Sequence, residues 1–139
     1  MKGFLSALII ILCLIVLLCI YTFYIEGTFS YLSSEIYKIE TAIESEDFIL
    51  AGEISRTFKK ELKEKSTLLY YVTDRALIDD AFTECEKLLS FIKTEDKSEA
   101  LASASGIRTM LENTKEKSII RILKINREAL PHGLLIISR

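Results

Sequence analysis

Phe4-Leu-Ser-Ala-Leu-Ile-Ile-Ile-Leu-Cys-Leu-Ile-Val-Leu-Leu-Cys-Ile-Tyr-Thr-Phe-Tyr24 is the stretch from which the rest of the chain is read, and it sits inside an uncharged run from Gly3 to Ile25. As a helix it is about 31 Å long at 1.5 Å per residue, enough to cross a hydrocarbon core roughly 30 Å thick. The sequence therefore predicts a transmembrane helix, with membrane lipid as the partner of residues 4–24. A cleaved signal peptide has a shorter apolar core, about 7–15 residues, and a small-x-small site behind it. Here the exit reads Tyr21-Thr-Phe-Tyr-Ile-Glu-Gly27, bulky where a peptidase needs Ala or Ser. Cys13 and Cys19 each follow large residues, which argues against a lipid-modified cysteine. Tyr21, Phe23 and Tyr24 gather at the far end, as aromatic residues do at headgroup level. An uncleaved signal anchor is expected. Lys2 and the N-terminal amine flank one side, and Lys38 is the only basic residue between the span and Arg56. Basic charge close to a span stays inside, so the N-terminus is placed in the cytoplasm and the remainder outside the cell membrane.

Beyond the span, residues 26–139 make one small domain, and the chain's net charge of −2 becomes −3 once Lys2 is set aside. That balance does not suit nucleic acid, which asks for a clearly basic surface. Cys85 has no soluble partner, because the other two cysteines lie in the apolar run. Helix packing rather than disulfides must hold so small a domain together.

A single proline and five glycines leave few breakers, and Lys, Glu, Leu and Ala are abundant, so the domain reads as all-α. Phe29, Leu32, Ile36, Ile39 and Ile43 make a helical stripe over 26–45, continuing from the span. Ser45-Glu-Asp47 reads as a break with an N-cap, followed by a helix with Phe48, Ala51, Ile54, Phe58 and Leu62 on one face. Leu68–Thr73 continues and ends it. Over Asp74–Lys93, Leu77 or Ile78, then Ala81, Cys85, Leu88 and Ile92 keep the three-four spacing of a core face. Asp96-Lys-Ser-Glu99 has the pattern of a capping box and opens a helix to Glu112. Asn113-Thr114 is expected to close that helix and start a last one through Ile119, Ile120, Leu123 and Ile125. Short connections imply antiparallel neighbours. The expected fold is an N-terminal transmembrane helix followed by a small antiparallel bundle of four to five helices. Its segments are 1–25 (anchor), 26–45 (juxtamembrane helix), 46–126 (bundle) and 127–139 (apolar tail).

The block Ile78-Asp79 … Leu88-Leu-Ser-Phe-Ile92-Lys-Thr-Glu-Asp-Lys-Ser-Glu-Ala-Leu101 resembles the bacterial single-span membrane family catalogued as domain of unknown function 4363. Leu111-Glu112 with Glu116-Lys117 resembles its closing block, and Glu46-Asp47-Phe48 an earlier acidic-aromatic one. The likeness covers the chain up to Asn126. It departs at Phe48, where the family prefers Trp, and at Arg75, where it prefers His; any ligand role of that His is lost here. The resemblance implies an anchored helical domain of spore-forming bacteria and supplies no activity and no site residues.

Individual residues offer little chemistry. His132 is the sole histidine and stands beside Pro131 and Gly133, away from any nucleophile in the pattern. Cys85 falls on an apolar stripe, where a free thiol behaves as a small hydrophobe. Asp80 and Glu84, with Asp79, could share a hard cation at i, i+4, but a solvated helix face explains them more simply. Arg56, Lys59, Lys60 and Lys63 make a basic stripe at i, i+3, i+4 and i+7 that could meet anionic headgroups or a partner; a solvated helix back is the plainer account. Ala100-Leu-Ala-Ser-Ala-Ser-Gly106 reads as a close-packing face, with a hinge at Gly106 as the sharper idea. No catalytic residue, cofactor or metal is expected, and the chain does not read as an enzyme. A membrane-anchored extracytoplasmic module for scaffolding or protein interaction at the bacterial cell envelope, with an unknown protein partner, is the leading expectation. The alternative is a ligand-sensing bundle that signals through a partner membrane protein, since only Met1–Gly3 precede the span. A pilin-like subunit is disfavoured because Leu8 stands where its glutamate would.

Overall fold

The computed structural model describes residues 1–129, and four helices account for nearly all of them. These are α1 (Lys2–Glu44), α2 (Phe48–Val72), α3 (Arg75–Lys93) and α4 (Lys97–Ala129). Among the described residues there is no strand. The tail from 130 onward, with His132, lies outside the described residues.

α1 is the longest helix because nothing in its sequence stops it: between Gly3 and Glu44 there is no proline and one further glycine, Gly27. Its first half is exposed and apolar, and it is long and apolar enough to cross a membrane. Its second half is core. Ile25, Phe29, Leu32, Ile36, Ile39 and Ile43 are buried at steps of four and three, so the segment 26–45 is an integral wall of the bundle rather than a separate stalk. The facing rows are Ala51, Phe58, Leu62 and Leu69 on α2, Ile78, Ala81, Cys85, Leu88 and Ile92 on α3, and Ala100, Ala104, Ile107 and Leu111 on α4. Each helix packs on its neighbours in the chain, and α4 closes the ring against α1. The result is an up-down-up-down four-helix bundle, the arrangement that heptad-like spacing and short turns favour.

The expected break at Asn113-Thr114 is absent; α4 runs unbroken through it. Polar residues there occupy core positions without ending the helix, because their hydroxyls bond back to the preceding turn. Thr114 Oγ1 donates to the Met110 carbonyl at 2.6 Å and Ser118 Oγ to the Thr114 carbonyl at 2.7 Å. Both side chains are buried.

The two turns at the end far from the span are built alike, from Ser45-Glu46-Asp47 and Thr94-Glu95-Asp96. In each, the glutamate adopts a left-handed conformation, φ 62° at Glu46 and 56° at Glu95. The Asp47 N–H donates to the Ala42 carbonyl and the Asp96 N–H to the Phe91 carbonyl, both at 2.9 Å, and each turn closes as a Schellman motif. Each aspartate then caps the next helix, with Asp47 Oδ1 accepting from the Leu50 N–H at 3.0 Å and Asp96 Oδ1 from the Glu99 N–H at 3.2 Å. Lys97 joins the turns, donating to the Glu44 carbonyl at 2.9 Å and pairing with Glu46 at 3.2 Å. A side chain at positive φ is strained where glycine is not, so Glu95→Gly is expected to stabilise the domain by about 0.5–1 kcal/mol, read from the urea midpoint. An unchanged or lower midpoint would show that the left-handed residue carries no strain.

Candidate functional site

The bundle's polar chemistry lies mainly on its flanks. Arg56, Lys59, Lys60 and Lys63 run along the outside of α2, and two of them are engaged: Lys59 pairs with Glu86 of α3, and Lys60 stands 4.0 Å from Glu64. Arg56 and Lys63 are exposed. Tyr31 of α1 donates to Glu61 of α2 at 2.9 Å, which sets the register between these antiparallel helices. Measured along the bundle from the level of Tyr24, Lys63 lies about 8 Å and Arg56 about 18 Å toward the far end at 1.5 Å per residue. The stripe thus climbs along the bundle, and its cations are not at one level.

Asp79, Asp80 and Glu84 do not converge. Asp79 accepts from the Tyr70 hydroxyl at 3.0 Å and lies 3.7 Å from Arg75, Glu84 pairs with Lys87 at 2.7 Å, and Asp80 is exposed. Among the described residues, no group of His, Cys, Asp or Glu is placed to hold a metal. Cys85 is buried, and burial pushes its thiol up to about 12, so it is neither thiolate nor accessible at neutral pH. The small-residue face of α4 does pack closely: Ala100 and Ala104 have no exposed surface. A side chain at Gly106 would meet nothing, so close approach does not require glycine there.

One charged pair is sunk between α1 and α4. Arg108 donates to Glu40 at 2.8 Å, and the Glu40 side chain is only 11% exposed. Burial raises the Glu40 carboxyl above its ordinary 4.5; Arg108 pulls it down and the nearby Glu44 and Glu112 push it up. A carboxyl raised on folding binds its proton more tightly in the native state, so its contribution is fully present below 4.5 and is lost as pH rises through the folded value. Glu40→Gln keeps an acceptor for Arg108 without the charge. It is expected to raise the urea midpoint at pH 7, with the gain shrinking as pH falls through 4.5. A loss of stability at pH 7 would mean that the ion pair outweighs its burial.

Grooves occur at both ends of the bundle. The far one, 530 Å³, lies between α2 and α3 and includes Phe48, Gly52, Arg56 and Ile92. At the foot, a 690 Å³ apolar groove follows α1 from Cys19 to Tyr31, where Lys65 stands 4.4 Å over the Tyr31 ring. On the other side of the foot, a 340 Å³ recess lies between α4 and the turn joining α2 to α3. Thr73, Asp74, Lys117, Ile120, Arg121 and Lys124 line it. Lys117, Arg121 and Lys124 fall at i, i+4 and i+7 on one helix face, the signal already noted on α2. The signal is present in the sequence, since all three residues lie within the one helix expected after Asn113-Thr114, but it is not among the candidates read from it.

A model of the family described as Domain of unknown function (DUF4363) matches residues 19–125. The chain belongs to that family. No curated protein and no solved structure matches it. The DUF4363 match begins at the last turns of the exposed part of α1 and ends near the foot of α4, so it takes in the whole four-helix bundle. The Ile78–Leu101 block that carries the resemblance supplies the α3 core row, the second Schellman turn and the start of α4.

Proposed function

We propose that the chain is a single-pass membrane protein whose four-helix bundle is held rigidly at the bilayer surface as a non-enzymatic scaffolding or interaction module of the cell envelope. The observation behind this reading is the continuity of α1, exposed and apolar up to Ile20, then buried at Ile25, Phe29 and Leu32 within the same unbroken helix. A cleavable leader would not contribute a wall of the core. The N-terminus lies in the cytoplasm and the bundle outside, following Lys2 and the scarcity of basic residues just past the span. The basic residues of α4 do not enter that count, being far downstream in sequence.

Sidedness is tested with Glu53→Cys, an exposed position on α2, in a chain whose Cys13 and Cys19 are replaced; buried Cys85 stays unreactive. Labelling of intact cells by an impermeant maleimide, in a membrane fraction resistant to carbonate, is the expected result. Labelling only after lysis would place the bundle in the cytoplasm. Release into the soluble fraction would end the anchor reading.

A further inference from the structure

The foot of the bundle lies at the level of the bilayer boundary. Lys115 of α4 stands 3.7 Å from Glu26 of α1, two residues past the end of the Phe4–Tyr24 span. Ser118 donates to the Val72 carbonyl at 3.4 Å, so the α2–α3 turn is level with it. α4 runs antiparallel to α1 and continues from there to Ala129, about 16 Å beyond the turn at 1.5 Å per residue. No other part of the bundle reaches so far toward the span's side among the described residues.

What projects there is basic and apolar together. Lys117, Arg121, Lys124 and Arg127 are exposed, and none has an ion-pair partner among the described residues. Ile120 and Leu123 are 56% and 61% exposed, an unusual display for the end of a packed helix. Beside them the recess gathers three of the cations around Thr73, facing one acid, Asp74. Thr73 is buried, and its hydroxyl has no hydrogen-bond partner, a costly state unless another group completes it.

We propose that the foot of α4, with the recess against the α2–α3 turn, is a binding surface for anionic phospholipid headgroups. The phosphodiester sits among Lys117, Arg121 and Lys124 beside Thr73, and Ile120 and Leu123 meet the acyl chains just beneath. Long basic side chains reach back to the phosphates while their stems lie in the apolar layer. α4 runs along α1 rather than in the interface plane, so at about 1.5 Å per residue from the Lys115–Glu26 pair Leu123 lies about 9 Å below the level of Tyr24. The surface rests on the reading of Phe4–Tyr24 as a membrane span. It also assigns a second, peripheral attachment, so that the bundle is gripped at α1 and at α4 rather than swinging from one helix.

The chain has no tryptophan, so one introduced indole reports its own depth. Full-length protein carrying Leu123→Trp, or Leu14→Trp in the span, is reconstituted into vesicles of phosphatidylcholine alone or with phosphatidylglycerol, and quenched by lipids brominated at known depths. Leu14→Trp is expected to be quenched from deep positions in both. Leu123→Trp is expected to be quenched from positions shallower than those that quench Leu14→Trp, strongly only with phosphatidylglycerol, and to lose that quenching in K117E/R121E/K124E and in the milder K117Q/R121Q/K124Q. An unquenched Leu123→Trp beside a quenched Leu14→Trp overturns the surface and leaves the anchor standing; blue-shifted emission without quenching would mean that protein covers it. Equal quenching in both lipids, or quenching that survives the charge variants, overturns anionic recognition. An unquenched Leu14→Trp removes the anchor and the surface together.

Discussion

Phe58→Ala is expected to cost about 3–5 kcal/mol, the range for deleting a buried phenyl ring whose site collapses only in part. Phe58 is 1% exposed and stands midway along α2, in the row that faces the core. A domain of this size has a total stability of roughly 5–15 kcal/mol, so the variant would lie close to unfolding at ambient temperature. The measurement is urea unfolding of the full chain in detergent micelles, followed by helicity. Phe82 of α3 is only half-buried, and its alanine variant, which forfeits less transfer energy and opens toward solvent, should lose roughly half as much or less. Equal losses at the two positions would mean that the core is not organised around the α2 row.

The second large effect concerns the proposed span. Fourteen Leu, Ile, Val and Phe residues lie between Phe4 and Phe23. At about −0.3 to −0.6 kcal/mol each at a helix centre, they favour insertion by roughly 4–8 kcal/mol. One arginine at the centre costs about 2.5–3.5 kcal/mol, so Ile11→Arg alone should still insert. Ile11→Arg with Ile15→Arg removes about 6–8 kcal/mol in all, on one helix face, and should release the protein from carbonate-washed membranes. If the single substitution already abolished membrane retention, α1 would be a marginal or merely peripheral segment. If the double variant stayed inserted, its arginines would have to be covered by a partner helix.

Much of this architecture is legible in the residues. The α3 row from Ile78 to Ile92 is buried as its spacing predicts, and Asp47 and Asp96 cap the helices they precede. The turn signal is only partly legible: a glutamate at positive φ carries no compositional mark, and the likeness of Ser45-Glu-Asp47 to Thr94-Glu-Asp96 has structural meaning only once both carbonyl bonds are seen. Asn113-Thr114 looked like a stop because polar residues interrupt the apolar row, whereas buried hydroxyls can serve that row by bonding back to their own helix. Contacts at long sequence separation were out of reach. Nothing local connects Glu40 to Arg108, or Lys115 to Glu26, and it is the second pair that sets the depth of the α4 foot.

On the proposed membrane reading, one unbroken helix is both the span and a wall of the bundle, and bilayer thickness becomes a mechanical input to the domain. Spanning helices tilt to match the hydrocarbon they cross, by about 20° on average. A hinge between span and domain would absorb such a tilt, but α1 has none between Phe4 and Glu44. The part of α1 past Tyr24 is about 30 Å long at 1.5 Å per residue, so a 20° tilt carries its far end sideways by about 10 Å. A thinner or thicker membrane would therefore re-aim the Ser45–Asp47 and Thr94–Asp96 turns like the tip of a pointer, and anything that grips those turns would sense the lipid without touching it.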